Sequence, residues 1–195
     1  ARAVYAYDTN TVALNECVDK LLALFPEDPS LLLSKLGFLR ETGRREERLE
    51  FLRGVCSRPE ADAVFYQQLA AEWMADARQA WPARLALKKA LRLQPLGGAS
   101  LTGLAQLYWT ERRFEEALDL YRQVACLEET KAGAASTYFA AANARRQTEA
   151  GLAFLERRCQ RNGARSPEPF IAWFNALRQA GRGQEALAHL EEALR

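Results

Sequence analysis

A helical pattern that returns about every 34 residues constrains this sequence more than any other feature. Five small or apolar anchor residues follow one another at spacings of 34, 34, 34 and 35: Leu49, Ala83, Ala117, Gly151 and Ala186. A sixth, weaker match lies at Cys17. Recurrence at this period is typical of an array in which each unit packs against its neighbours.

A second helical pattern precedes each anchor. Its apolar positions follow the i, i+3, i+4, i+7 spacing of one helix face in three places: Leu33/Leu36/Gly37/Arg40, Leu101/Leu104/Ala105/Tyr108 and Phe170/Trp173/Phe174/Leu177. Turn residues such as Gly43, Pro59 and Gly181 separate the segments, and no run alternates like a strand. The pattern therefore predicts units made of a helix A, a short turn and a helix B.

These residues resemble the tetratricopeptide repeat, whose 34-residue unit reads W-x2-L-G-x2-Y, then A-x3-F, then P. The resemblance implies an all-α fold, an α-α superhelix of about five and a half antiparallel helix pairs. It predicts one solenoid over residues 1–195, with approximate units 11–29 (partial), 30–63, 64–97, 98–131, 132–166 and 167–195. Small residues at Gly37, Ala71 and Ala105 are expected to let helix A approach helix B.

The two ends of the sequence leave the boundaries of the array open. The chain begins at Ala1, and its last unit stops at Arg195 without a polar capping helix. Two interpretations follow. The chain is a segment excised from a longer protein, or it self-associates through its uncapped ends.

Composition excludes several classes of protein. No run of about 18 apolar residues is present, which argues against a membrane-spanning helix in this segment. The formal net charge is +2, too small to indicate a nucleic-acid-binding protein. A helical-repeat RNA binder would usually show a clearly basic face, so this class is the least favoured.

Motifs for catalysis are missing from the sequence. The one histidine, His189, lies between Glu185 and Glu192 on a polar helix face, without a neighbouring nucleophile. The four cysteines are far apart and form no C-x-x-C pair, which predicts small-residue packing rather than metal binding. We therefore expect a protein that is not an enzyme and that has no catalytic residue, cofactor or metal.

Arginines form a second periodic feature at the predicted turns between helices A and B. They recur at spacings of 34 residues: Arg44, Arg78, Arg112 and Arg146. A cation near a helix C-terminus is stabilising by about 0.3–1 kcal/mol, which is sufficient reason for the pattern. The alternative is an anion-binding edge, whose affinity for an acidic partner would fall steeply with salt.

The family resemblance also implies a partner-binding groove lined by helices A. Carried over residue by residue, the groove contains Phe38, Glu41, Gln68, Glu72, Asp76, Gln106, Trp109, Asn143, Asn175 and Arg178. Members that bind chaperone tails use a Lys and Asn clamp, and Ser34 and Phe38 stand at those positions here. The departure argues against that role. Trp109 is of special interest because aromatic residues are enriched at binding hot spots.

The sequence therefore predicts a non-catalytic scaffold that binds a partner peptide or protein of unknown identity in the concave groove. The alternative is a tetratricopeptide region of a larger bacterial multidomain enzyme or secretion and assembly protein, where it docks a substrate or partner. Arginine outnumbers lysine 22 to 5, an association with GC-rich bacterial genomes. Unpaired thiols favour the cytoplasm, with the periplasm open if the parent protein carries a signal.

Overall fold

The chain folds into consecutive antiparallel helices. The structure, a computed structural model, describes the backbone of residues 9–193 and the side chains of residues 12–191. Eleven α-helices and no strand occur between residues 9 and 193: α1 (Thr9–Leu24), α2 (Pro29–Glu41), α3 (Arg45–Cys56), α4 (Ala63–Met74), α5 (Ala80–Leu93), α6 (Gly98–Thr110), α7 (Phe114–Leu127), α8 (Ala132–Ala144), α9 (Thr148–Asn162), α10 (Glu168–Gln179) and α11 (Gly183–Ala193). The predicted all-α superhelix is confirmed. The chain end at Arg195 lies outside the described residues.

Local sequence explains where the helices begin. The Asp28 side chain accepts a hydrogen bond of 3.0 Å from the Leu31 amide, and Pro29 occupies the first turn of α2. Helix α7 has Glu115 and Glu116 in its first turn, where carboxylates interact favourably with the helix dipole.

The turn from helix A to helix B repeats one backbone motif four times. A residue with positive φ follows the helix at Gly43 (70°), Arg112 (62°), Arg146 (60°) and Gly181 (79°). The next residue then donates a hydrogen bond to a carbonyl five residues back, for example Arg113 to Tyr108 at 2.8 Å and Arg182 to Leu177 at 2.9 Å. This is the Schellman ending of a helix, and it fixes the register of each unit.

The motif corrects one anchor of the predicted repeat. Ala117, Gly151 and Ala186 each lie five residues after the positive-φ residue, and the residue at that place in the first unit is Arg48 rather than Leu49. In each of the four units, the backbone amide of this residue donates a hydrogen bond of 3.0–3.1 Å to the carbonyl of the residue four positions earlier, in the turn. Ala83 is the fourth residue of α5, as Ala117 is of α7. Leu49 is therefore one residue out of register.

The shift arises in the connection between α4 and α5. This connection spans five residues and contains a 3-10 turn at Ala77–Gln79, whereas the other four contain three residues. Helices A of the first two units accordingly start at Pro29 and Ala63, one residue before the predicted boundaries. Leu32 and Ala70 are therefore the buried residues, in place of Leu33 and Ala71, which were expected to face the neighbouring helix. The third residue expected there, Gly37, has open space beside it, since a Cβ on it would meet no atom within 4 Å.

Packing divides the array into two apolar cores that meet at α6. The first core runs from α2 to α6 and includes Leu104 and Leu107 of α6. The second runs from α6 to α11 and includes Ala105 of the same helix. Leu120 of α7 packs against both cores. Each helix pair thus buries its apolar stripe only by contact with its neighbours.

One unit exchanges a large and a small residue across the helix A and helix B contact. Phe139 of α8, which is 1% exposed, stands where α6 has Ala105, seven residues before the positive-φ residue. Gly151 of α9 stands where α7 has Ala117. A Cβ at Gly151 would lie 3.0 Å from Cδ2 of Phe139. The glycine therefore makes room for the ring.

Candidate functional site

Helices A form the inner wall of the array. The backbones of α4 and α6, and of α8 and α10, come within 8 Å of each other, whereas within residues 9–193 no two helices B come this close. An array whose helices lie closer together on one side than on the other curves toward the side with the closer helices. The helices A (α2, α4, α6, α8 and α10) therefore lie on the concave side.

The register set by the turns places one stripe of side chains along this wall. It contains the fifth, ninth and twelfth residues of the units that start at residues 29, 63, 98, 132 and 167. We call this set the inner stripe: Leu33, Gly37, Arg40, Gln67, Ala71, Met74, Thr102, Gln106, Trp109, Ser136, Ala140, Asn143, Ile171, Asn175 and Arg178. Every one of these residues is exposed or half-buried.

Half of the predicted groove residues belong to the inner stripe. These are Gln106, Trp109, Asn143, Asn175 and Arg178. All five come from the units in which the predicted and observed registers agree. Glu41 and Gln68 are exposed residues of α2 and α4, each one position beyond a stripe residue.

Three predicted groove residues have structural contacts instead. Phe38 lies on the side of α2 that faces α1, where Nζ of Lys35 lies 5.7 Å from its ring centroid. Lys35 in turn donates to Asn15 at 3.0 Å and pairs with Asp19 at 2.7 Å. The one-residue shift in the first unit therefore places Phe38 outside the inner stripe.

The other two, Glu72 and Asp76, hold the α3–α4 contact and the long turn. The Glu72 carboxylate lies 2.6 Å from Nη2 of Arg48 and 3.5 Å from Nε of Arg45. The Asp76 carboxylate accepts a bond of 3.0 Å from the Arg78 amide and so caps the 3-10 turn.

Trp109 is the largest side chain of the inner stripe and is held by aromatic contacts. Its ring meets Phe114 edge-on, with centroids 5.0 Å apart and planes at 73°. The guanidinium of Arg145 covers the same phenylalanine at 4.3 Å. Trp109 therefore presents a fixed, half-exposed surface to the groove.

Polar residues of the inner stripe differ in how their side chains are hydrogen-bonded within the protein. The Asn143 side chain accepts a hydrogen bond of 2.7 Å from the Thr148 hydroxyl, and Gln67 donates at 2.9 Å to the buried hydroxyl of Ser100. Gln106 and Asn175 extend from exposed positions of α6 and α10. These last two amides offer a donor and an acceptor each to a bound chain.

Four apolar stripe residues were not predicted: those of the first two units because of the one-residue shift, and Ile171 although its unit was in register. Leu33, Ala71, Met74 and Ile171 supply apolar area, and Leu33 and Ile171 are among the exposed large apolar side chains. A count from Gly43, the glycine of the first turn, would have found the register of the first unit.

The four arginines of the predicted edge do not share one backbone conformation. Arg112 and Arg146 occupy the positive-φ position, whereas Arg44 comes one residue later and lies 3.4 Å from the Glu47 carboxylate. Arg78 lies in the 3-10 turn. Neighbouring arginines are engaged as well: Arg113 pairs with Glu116 at 2.9 Å, and Arg182 pairs with Glu185 at 2.7 Å. The anion-binding edge stays a prediction.

Groups able to catalyse a reaction or bind a metal are scattered over the described residues. The His189 ring packs at a tilt of 42° against Trp173, with centroids 4.4 Å apart, and its Nε2 lies 4.0 Å from Glu185. Among the side chains of residues 12–191, no group of three His, Cys, Asp or Glu could hold a metal ion. In the same part of the chain, no helix has the length and apolar character needed to span a bilayer.

The four thiols, on α1, α3, α7 and α9, differ in environment and should differ in reactivity. Cys17 and Cys126 are exposed, so they do not serve the predicted packing role, while Cys56 is buried. Burial raises the pKa of Cys56 to about 11, although the Lys89 charge opposes the shift. A raised pKa means less thiolate at pH 8, and thiolate is the reactive form.

At pH 8, we expect iodoacetamide to alkylate Cys17 and Cys126 well before Cys56, which should react only after unfolding. Peptide mass spectrometry over time measures the three rates. The same reaction in urea is the control, since the three rates should then converge. Equal rates in the folded protein would contradict the buried position of Cys56.

The structure defines a class of protein, a solenoid of helix pairs with a concave wall and without an assembled catalytic centre among the described residues. Residues 98–133 match the tetratricopeptide repeat family, and the described part of the chain has the helical-repeat fold of that family. This fold is that of a protein-interaction scaffold in general. No curated protein matches the sequence.

Solved structures with the same fold have low sequence identity to this chain. A tetratricopeptide repeat protein from Parabacteroides merdae is 14% identical with a TM-score of 0.61, covering 94% of this chain and 72% of that one. A putative kinesin light chain with TPR-like repeats from Podospora anserina is 20% identical with a TM-score of 0.60, covering 86% and 93%. YrrB, a TPR protein with an unusual peptide-binding site, is 14% identical with a TM-score of 0.58, covering 77% of each chain.

Proposed function

We propose that this chain is a non-catalytic scaffold that binds an extended segment of a partner protein along the inner stripe. The observation that carries the proposal is the low charge of that stripe. Of its fifteen residues only Arg40 and Arg178 are charged, whereas 27% of the whole chain is charged. A wall with so few charges suits a mostly uncharged segment, and not a polyanion such as RNA.

The distribution of the polar groups supports an extended peptide. An extended backbone presents N–H and C=O groups at regular intervals, and side-chain amides can pair with both. Gln106 and Asn175 are exposed amides of this kind, on the third and fifth helices A. A segment lying along the wall can therefore form backbone hydrogen bonds in two separate units.

Apolar members of the stripe provide the anchoring area. Trp109 lies near the middle of the array, with Met74 on one side and Ile171 on the other. Rigid aromatic side chains cost little conformational entropy when they bind, and they dominate many interfaces. The peptide-binding site named for YrrB, which has the same fold, is consistent with this use of the scaffold.

Selection from a random peptide library tests the proposal and does not require the natural partner. A displayed library of random 12-residue peptides is selected against the immobilised chain, and dissociation constants of the enriched peptides are measured by fluorescence anisotropy. Trp109→Ala should weaken binding by about thirtyfold, the effect of a hot-spot residue. Trp81→Ala is the matched control, because Trp81 is 66% exposed but begins a helix B.

A second set of variants separates loss of binding from loss of folding. Ala71→Arg and Ala140→Arg place a bulky cation on exposed stripe positions, where the fold has room for it. Both should weaken peptide binding while the circular dichroism spectrum and melting temperature stay unchanged. Peptides that bind all three stripe variants normally, or that are lost with Trp81→Ala, would refute the inner stripe as the binding surface.

A further inference from the structure

A basic cleft lies on the opposite side of the array, between two helices B. It has a volume of about 220 Å³ and is bordered by α7 and α9, whose Cα atoms stay more than 8 Å apart. Tyr138 of α8 and Phe154 of α9 pack edge-on, with ring centroids 4.8 Å apart, and Phe154 lines the cleft. The cleft therefore exists because the helices B separate on the convex side.

The most buried charged residue in this cleft is Arg158, and its position is unusual for the array. It lies seven residues after the anchor Gly151, and the same position in other units is Val55, Ala90 or Val124, all buried. Arg158 is itself only 6% exposed. A charged side chain therefore occupies a place at which the repeat otherwise buries an apolar one.

The hydrogen bonds of Arg158 account for only part of its guanidinium. Its Nη2 donates to the carbonyl of Lys131 at 2.7 Å and to the carbonyl of Glu128, both near the α7–α8 connection. The buried Nε and Nη1 atoms have no partner in the protein. Burial lowers the pKa of Arg158, as expected for a cation without a sufficient counter-charge. Leaving such donors unpaired is costly, which points to an external acceptor.

The rim of the cleft adds three more guanidinium groups. Arg122 of α7 and Arg157 and Arg161 of α9 line it, and all three are exposed. The one carboxylate in the lining is Glu129, which lies 3.9 Å from Arg161. Four cations against one anion give the cleft a local charge of +3, although the whole chain carries only +2.

We propose that this cleft is a binding site for a phosphate group, with Arg158 as the buried donor and Arg122, Arg157 and Arg161 closing over the charge. Guanidinium groups match the oxygen atoms of phosphate in geometry and form strong charge-assisted hydrogen bonds with them. The volume lies below the range of about 300–1,000 Å³ that accommodates drug-sized ligands. The ligand is therefore inorganic phosphate or a small phosphomonoester, and its binding is independent of the inner stripe.

Calorimetric titration of the full chain tests the site, with inorganic phosphate and glycerol 3-phosphate as two separate ligands at constant ionic strength. We expect saturable binding of one ligand per chain, and the tighter of the two identifies the source of the phosphate group. Arg122→Gln and Arg157→Gln should each weaken binding about tenfold, the effect of losing one charge-assisted hydrogen bond. Arg158→Met should abolish it.

Two controls keep the result decisive. Arg92→Gln removes an exposed arginine of α5 outside the cleft and should leave the affinity unchanged. Because Arg158→Met also removes bonds to the α7–α8 connection, the exposed Arg122 and Arg157 variants carry the test if Arg158→Met unfolds. The absence of saturable binding up to about 10 mM phosphate, a very weak affinity, would overturn the proposal. An equal loss with Arg92→Gln would overturn it as well, because it would indicate general charge attraction.

Discussion

Replacing Phe139 with alanine is expected to lower the free energy of unfolding by about 3–5 kcal/mol, the usual cost of truncating a buried phenylalanine. Phe139 is among the largest fully buried side chains, and it fills the space between α8 and α9. Urea unfolding followed by circular dichroism measures the loss. A cost below about 1 kcal/mol would mean that the ring is not enclosed in this way.

The partner of Phe139 makes the experiment more specific. Gly151→Ala in the native background places a Cβ 3.0 Å from the ring and should destabilise the protein by about 1–3 kcal/mol through overpacking. In the Phe139→Ala background the same methyl group enters the cavity, so its cost should fall or change sign. The double-mutant cycle then gives a coupling of about 0.5–3 kcal/mol between the two positions.

Gly54→Ala serves as the matched control for this cycle. A Cβ at Gly54, on the exposed face of α3, would meet no atom within 4 Å. The substitution should therefore stabilise the protein by about 0.5–1 kcal/mol, through helix propensity alone. Its effect should be the same with and without Phe139→Ala. A similar independence for Gly151→Ala would contradict the packing of the glycine against the ring.

Breaking the ion pair between α3 and α4 should have the second large effect. The side chains of Arg48 and Glu72 are 14% and 15% exposed, and the buried Nε of Arg48 has no hydrogen-bond partner in the protein. Glu72→Leu leaves the guanidinium without its carboxylate and should cost about 3 kcal/mol in urea unfolding, as for other buried pairs that lose one member.

The cause of this loss can be isolated by removing the cation as well. Arg48→Ala installs the residue that the other units have as Ala83, Ala117 and Ala186, and it should recover most of the stability lost in Glu72→Leu. The control is Glu47→Leu, since the Arg44–Glu47 pair is 53% and 60% exposed and such pairs contribute at most about 1 kcal/mol. No recovery in the double variant would show that packing, rather than charge, accounts for the loss.

The period of the sequence predicts the fold because each unit repeats the same burial requirement. The anchors Ala83, Ala117, Gly151 and Ala186 are all buried at equivalent places. The register of the first two units could not be predicted to within one residue. The reason is that composition does not distinguish a five-residue connection between α4 and α5 from a three-residue one. That single difference moves Phe38, Glu41, Gln68 and Glu72 out of the inner stripe.

The basic cleft around Arg158 could not be predicted from the sequence for a different reason. Arg158 is one arginine among 22, and its neighbours in the chain are polar. Only the register shows that its position is otherwise apolar, and only the coordinates show which of its nitrogen atoms lack acceptors. A search for charged residues seven positions after each anchor would have singled out Arg158 once the register was known.

The meeting of two cores at α6 has a mechanical consequence for the array. Local unfolding that begins at either terminus can spread through one core and stop at α6, because Leu104 and Ala105 of this helix belong to different cores. The remaining half keeps a closed interior and stays folded. A ligand long enough to cross α6 would fasten both halves together, so the protein should resist fraying and pulling more strongly when occupied.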